Sequence, residues 1–210
     1  MSRRHHSSAP PPPPLPSGYQ PLNYIEGQGR QYINCGISAP NGFISNGIVS
    51  IKLQSYTNPM RVIGSHNTGS PYGRNGLAIQ CDNSNKKWQL SHGDYFPSTP
   101  NGTLVVDQIY TYTVCSYRGN GYLDIDGTRV LTDTTNTTLS SNNICIFFDN
   151  YLGTYKCLKG KVYYADLTIN GILVREYYPA LRILDTTAGL YDIVYNQFYT
   201  NAGTGTFLFG

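Results

Sequence analysis

Hydrophobic and polar residues alternate with a period of two through much of this chain, in short runs broken by glycine, asparagine and proline. Ile109-Tyr110-Thr111-Tyr112-Thr113-Val114-Cys115 shows the cleanest alternation and predicts a central β-strand, because successive side chains of a strand point to opposite faces. Val162 through Ile169 places Ala165, Leu167 and Ile169 on one face and Tyr164, Asp166 and Thr168 on the other. Asn170-Gly171 follows, a pair that favours a two-residue type I′ turn because both central positions need positive φ. The run from Ile172 to Tyr178 then predicts the return strand, with Pro179 expected to end it for want of an N–H. A second hairpin is predicted from Gly121 to Val130, turning at Asp126-Gly127.

Shorter candidates fill the rest. Tyr24-Ile25, Gln31-Tyr32-Ile33 and Phe43-Ile44 are broken by glycines and by a turn at Asn41-Gly42, and Ile48 to Leu53 reads as a longer strand closed by Asn58-Pro59. Arg61 to Gly64, Leu77 to Cys81, Lys87 to Leu90 and Ile144 to Phe148 are further strands. Ser65 to Asn75, Asp82 to Lys86, Thr132 to Asn143 and Asp149 to Leu158 read as polar loops or turns. No amphipathic helix is found; Tyr178 to Leu184 has room for one turn at most. The expected architecture is an all-β, antiparallel two-sheet jelly-roll sandwich.

Composition sharpens this. Of 210 residues, 13% are charged, and there are 22 glycines and 19 tyrosines, the balance of a protein with many short strands and half-wet aromatic surfaces. The net charge is +3, with Arg3 and Arg4 in the N-terminal segment, so the remainder is nearly neutral and no nucleic-acid partner is implied. Cys35, Cys81, Cys115, Cys145 and Cys157 are odd in number and widely spaced, which favours buried thiols over disulfides or a zinc site. Residues 1–17 are basic, then serine-rich, then carry Pro10, Pro11, Pro12, Pro13 and Pro14, a polyproline II arm separate from a sandwich domain over 18–210. That arm reads either as a leader or as an anchor lying on another protein. Neither an apolar signal segment nor a membrane-spanning apolar run is present in the sequence.

Several motifs carry a family likeness. Gly160 to Tyr163, the Asn170-Gly171 turn, Leu173 to Glu176 with Pro179, Gly189-Leu190-Tyr191-Asp192, and Phe198 to Phe207 follow in order, and Leu15 to Tyr19, Tyr24-Ile25-Glu26 and Gln31-Tyr32-Ile33 open the chain. Together they resemble the concanavalin A-like, laminin-G-like jelly-roll module of phage tail and virion proteins and of gut-bacterial surface proteins, over Leu15 to Gly210. The likeness extends to the Asp126-Gly127 hairpin, while the tryptophan often found in a central family strand is absent from Val105 to Tyr117. It implies a non-enzymatic virion structural protein (head decoration, fibre or tail component), anchored to other virion proteins by its arm and displaying a lectin-like module for attachment to a host or glycan surface, with glycan and protein ligands both left open by the residues. A bacterial cell-surface adhesin is the alternative, and a glycan hydrolase is third.

Catalytic signatures are weak. The glucanases of this fold carry E-x-D-x-x-E, whereas Glu26 and Glu176 are the only glutamates and sit in no such motif. Asp124 and Asp126 share a face, but Asp126 fits the hairpin turn. His66 and His92 are expected in polar loops, with Asp94 the only neighbouring carboxylate in sequence. No cofactor is expected; a rim Ca²⁺ held by oxygens such as those of Asp107, Asp133 or Asp149 lacks a compact acidic loop. Binding by loop aromatics is the expectation, with Tyr72, Trp88, Tyr95, Tyr151 and Tyr155 as candidates, and core packing as the favoured alternative for Trp88.

Overall fold

The alternating runs do pair, and they build two antiparallel sheets. The computed structural model describes residues 10–52, 60–67, 73–81, 84–147 and 157–210. In chain order the first strands are β1 (Tyr19–Pro21), β2 (Ile25–Gln28), β3 (Ile33–Ser38), β4 (Gly42–Ile51), β5 (Met60–His66) and β6 (Arg74–Gln80). Then come β7 (Lys87–His92), β8 (Ile109–Tyr117), β9 (Asn120–Ile125), β10 (Thr128–Asp133) and β11 (Asn143–Ile146). The chain closes with β12 (Lys159–Ile169), β13 (Ile172–Arg182), β14 (Thr187–Asp192), β15 (Gln197–Tyr199) and β16 (Leu208–Phe209). The larger sheet runs β10-β9-β8-β4-β12-β13-β14-β15, with β1 on β13 and β2 between β12 and β16; the smaller runs β3-β11-β5-β6-β7. No helix occurs among the described residues. This is an antiparallel two-sheet jelly-roll sandwich.

The core lies between the sheets. Phe43, Val49, Val114, Leu123, Ala165 and Leu167 face inward from the larger sheet, and Ile33, Val62, Leu77, Trp88 and Ile146 meet them from the smaller. All five cysteines are buried free thiols, and burial pushes the Cys35 thiol up to about 12. The hairpin turns are formed as expected: φ is 52° at Asn170 and 76° at Gly171, and 50° at Asp126 and 74° at Gly127.

Some local expectations are corrected. Phe43-Ile44 and Ile48 onward belong to one strand, β4, whose middle residues Asn46 and Gly47 pair with Thr113 and Tyr112 of β8. Pro179 does not end β13, which pairs with β14 through Arg182 and replaces the expected helical turn. The Pro179 carbonyl accepts Leu22 N–H at 3.0 Å, so its nitrogen points the same way, toward the gap between Tyr177, the partner of Ala165 on β12, and Ala180, the partner of Pro21 on β1. The missing N–H is not needed there. Ser65 and Asn75 belong to strands, fully buried, with Ser65 Oγ donating to Asn75 Oδ1 at 2.5 Å. His66 and His92 are buried at strand ends. Arg74 Nε donates to His66 Nε2 at 3.0 Å, and the carboxylate beside His92 is Asp133, not Asp94. Leu53, Asn58-Pro59, Tyr72, Asp82, Asp149, Tyr151 and Tyr155 lie outside the described residues.

Candidate ligand-binding face

The outward side of the larger sheet carries a continuous polar row. It follows from register: Arg129 on β10 pairs with Asp124 on β9, Asp124 with Thr113 on β8, and Thr113 with Asn46 on β4. Across the next gap Asn46 N–H and Nδ2 donate to Asp166 on β12, and Asp166 pairs with Glu176 on β13. These side chains all point away from the core because their strand neighbours, among them Val114, Leu123, Ala165 and Leu167, point into it. At the usual spacing the row spans about 24 Å across six strands.

Hydrogen bonds tie most of the row together. Thr113 Oγ1 donates to Asn46 Oδ1 at 2.7 Å, which fixes the Asn46 amide so that Nδ2 reaches both Asp166 oxygens at 3.1 Å. The Asn46 backbone N–H donates to Asp166 Oδ1 at 2.9 Å, and Tyr164 O–H reaches Asp166 Oδ2 at 3.2 Å and Glu176 Oε1 at 3.3 Å. Tyr178 O–H donates to Glu176 Oε1 at 2.9 Å, and the Tyr164 and Tyr178 rings meet edge on with centroids 5.3 Å apart. At the other end the Arg129 guanidinium pairs with Asp124 and stacks 3.7 Å over the Tyr122 ring.

Two backbone features place these groups. A bulge between Leu167 and Thr168 shifts the β12–β13 register by one residue. Without it the Ile169–Ile172 pairing would carry Asp166 opposite Arg175; with it Arg175 faces Leu167 and turns inward, where Nε lies 3.3 Å from buried Asp192. Two carboxylates are left side by side on the outer face. On β4, a Cβ added to Gly47 would meet the Tyr112 ring at 2.5 Å, so glycine admits that ring beneath the row and lets its hydroxyl reach Ser45 Oγ at 3.3 Å.

The electrostatics follow from shared burial. Asp166 is 8% exposed, and desolvation raises its carboxyl above the ordinary value despite the bonds from Asn46 and Tyr164. Burial raises the Tyr164 phenol as well, followed by the nearby Asp166 and Glu176 charges; Tyr178 is raised by burial and by its bond to Glu176. Further along the same face Lys161 Nζ sits 3.7 Å over the Tyr24 ring, Tyr24 meets Tyr163 edge on, and Glu26 pairs with Lys52. Burial pushes the Glu26 carboxyl up, and the Lys52 and Gln28 bonds more than reverse it.

Of the aromatic candidates read from sequence, the two that are described, Trp88 and Tyr95, are not on this face. Trp88 is 2% exposed in the core, edge on to Tyr110 at 5.0 Å. Tyr95 is exposed at a turn after β7 on the smaller sheet, its backbone bridged to His92. Pro10 to Pro14 precede β1 outside any strand and are largely exposed. Asp126 accepts from Thr111 N–H at 2.9 Å, serving the turn, while Asp124 joins the row. Sequence reading put Tyr164 and Asp166 on one polar face but left Asn46, Tyr122, Glu176 and Tyr178 unassigned; the signal in reach was polar residues at alternate positions of adjacent strands. No group of three or more metal-ligating side chains comes together among the described residues, and no helix there is long and apolar enough to cross a membrane.

Comparison with known proteins gives a likeness of fold. No family model matches the sequence, and no curated protein matches it. A Bacteroides ovatus structure provisionally named a carbohydrate-binding protein aligns with TM-score 0.58 and 12% identity over 91% of this chain and 60% of its own. Trypanosoma rangeli sialidase aligns with TM-score 0.43 and 16% identity over 60% of this chain, which spans only 20% of that enzyme. A SAP-like pentraxin from Limulus polyphemus aligns with TM-score 0.46 and 9% identity over 71% of this chain and 74% of its own.

Proposed function

We propose that this chain is a non-catalytic glycan-binding sandwich whose binding surface is the outer face of the larger sheet. The observation that carries the reading is the row from Arg129 to Glu176: planar amide, carboxylate and guanidinium groups with flanking tyrosines, laid across the strands. Such groups suit a sugar chain, whose hydroxyls need acceptors and donors and whose ring faces stack on aromatics. The name given to the Bacteroides ovatus neighbour agrees with this reading. Display on a phage virion, with Pro10–Pro14 docking to other virion proteins, completes the proposal and rests on the family likeness and on an exposed polyproline segment.

Binding is proposed over hydrolysis although Asp166 and Glu176 both reach one phenolic oxygen. A glycosidase needs one carboxyl free to donate a proton and another free to attack or activate water. Asp166 instead receives Asn46 N–H, both contacts from Asn46 Nδ2 and the Tyr164 hydroxyl, which occupy its acceptor sites.

A glycan array with the wild-type protein and with Asn46→Ala and Tyr122→Ala tests this. The expected result is binding by wild type, a loss of about tenfold or more in each variant, an unchanged thermal midpoint for Tyr122→Ala with a lowered one for Asn46→Ala, which strips buried Asp166 of its amide partner, and no release of reducing sugar. Binding unaffected by both variants would place the ligand elsewhere, and reducing-sugar release would replace binding with catalysis.

A further inference from the structure

We infer that the ligand of this face is a neutral glycan, and that Glu176 is the residue that rejects acidic ones; the inference rests on the reading of the face as a glycan site. Glu176 Oε1 accepts from Tyr178 at 2.9 Å and lies 3.3 Å from the Tyr164 oxygen, whose one proton it shares with Asp166. Its Oε2 takes no hydrogen bond from the described residues, and the atom is not sealed in the interior. That oxygen is therefore an acceptor held in place by the Tyr178 bond to its partner atom, beside the Tyr164 and Tyr178 rings, and open to a ligand's hydroxyl. Its neighbours offer no competing free donor, since Asn46 Nδ2 and both phenols are spent on carboxylates.

The charges of the whole face point the same way. Asp124, Asp166 and Glu176 stand in the row against one cation, Arg129, which is at the far end and already paired with Asp124. The other cations on the outer side of β12 and β13 and beside β2 stand off the row: Lys52 pairs with Glu26, Lys161 sits over Tyr24, Arg182 pairs with Asp185 near the end of β13, and Lys159 opens β12, seven residues before Asp166. A sialyl, uronyl or sulfated group at the Asp166–Glu176 end would meet a like charge with no cation to answer it, and selection by a repulsive group is an ordinary way to exclude a ligand. A neutral sugar's hydroxyls donate to Glu176 Oε2 without that cost.

Matched pairs of oligosaccharides, each neutral and in its sialylated or sulfated form, measured by isothermal titration against wild type, Glu176→Gln and Glu176→Ala, test this. Wild type binds the neutral member at least about tenfold more tightly, and the ratio shrinks at high salt, as screening of like charges requires. Glu176→Gln keeps an acceptor for Tyr164 and Tyr178, so it folds like wild type by thermal midpoint and brings the ratio toward one by admitting the acidic member. Glu176→Ala loses the neutral ligand as well. Equal or tighter wild-type binding of acidic members overturns the inference while leaving the face a glycan site, as does an unchanged ratio in Glu176→Gln. No binding of any glycan by folded wild type overturns the glycan reading itself.

Discussion

His92 shows how much one side chain can hold. Its ring is fully buried, Nε2 donates to the Tyr117 carbonyl at 2.7 Å, and Nδ1 meets Asp133 Oδ2 at 3.0 Å, so one residue of the smaller sheet is tied to two strands of the larger. Partial burial pushes the Asp133 carboxyl up, but bonds from Thr135 and His92 outweigh it and hold it below its ordinary value. A depressed folded-state pKa means the contribution is full above the unfolded value and is lost as pH falls through the folded one. His92→Ala is expected to cost about 3 kcal/mol near neutrality, because it removes the buried ring that bridges Tyr117 and Asp133 and leaves that mostly buried carboxylate with Thr135 alone. In urea titrations the variant should also lose less further stability than wild type as pH falls below the ordinary carboxylate range. An equal acid response in both would remove His92 from the cause of the shift. None of this was legible in sequence, where His92 reads as a loop residue: Asp133 reaches it only because β10 of one sheet lies near β7 of the other.

The β12–β13 hairpin is the element that makes the face. Its turn was legible, since Asn170 and Gly171 both take positive φ. Replacing the pair with Ala-Ala should lower stability by about 2 kcal/mol, since alanine pays the left-handed penalty at both positions; an unchanged denaturation midpoint would show that the turn does not depend on them. Its facing pairs were not legible. Alternation assigns Asp166 to a face correctly, but a two-residue turn read without the bulge pairs it with Arg175 and predicts an exposed ion pair in place of two carboxylates. Asn46-Gly47 is instructive in the opposite sense, because the same dipeptide that turns the chain at 170 runs straight through β4 here. The difference is tertiary: Gly47 is small so that the Tyr112 ring can lie against it, and Asn46 is held by Thr113 and Asp166. Pro179 likewise reads as a strand end until its nitrogen is seen to face a gap between partners.

For the whole molecule, fold class was the most legible property, because period-two runs and glycine-bearing turns recur along the chain and each repeats the same message. The site was the least legible, because its row is assembled from strands far apart in sequence, Asn46, Thr113 and Asp166 among them. Sequence reasoning looked for aromatics in loops, whereas the proposed face is built of polar groups and tyrosines on a sheet. Backbone amide shifts followed by NMR during titration with a glycan bound on the array distinguish these two locations directly. The predicted perturbations centre on Asn46, Thr113, Tyr122, Asp166 and Glu176. Perturbations confined to the smaller sheet and the turn at Tyr95, with those five residues unmoved, would contradict the proposed face.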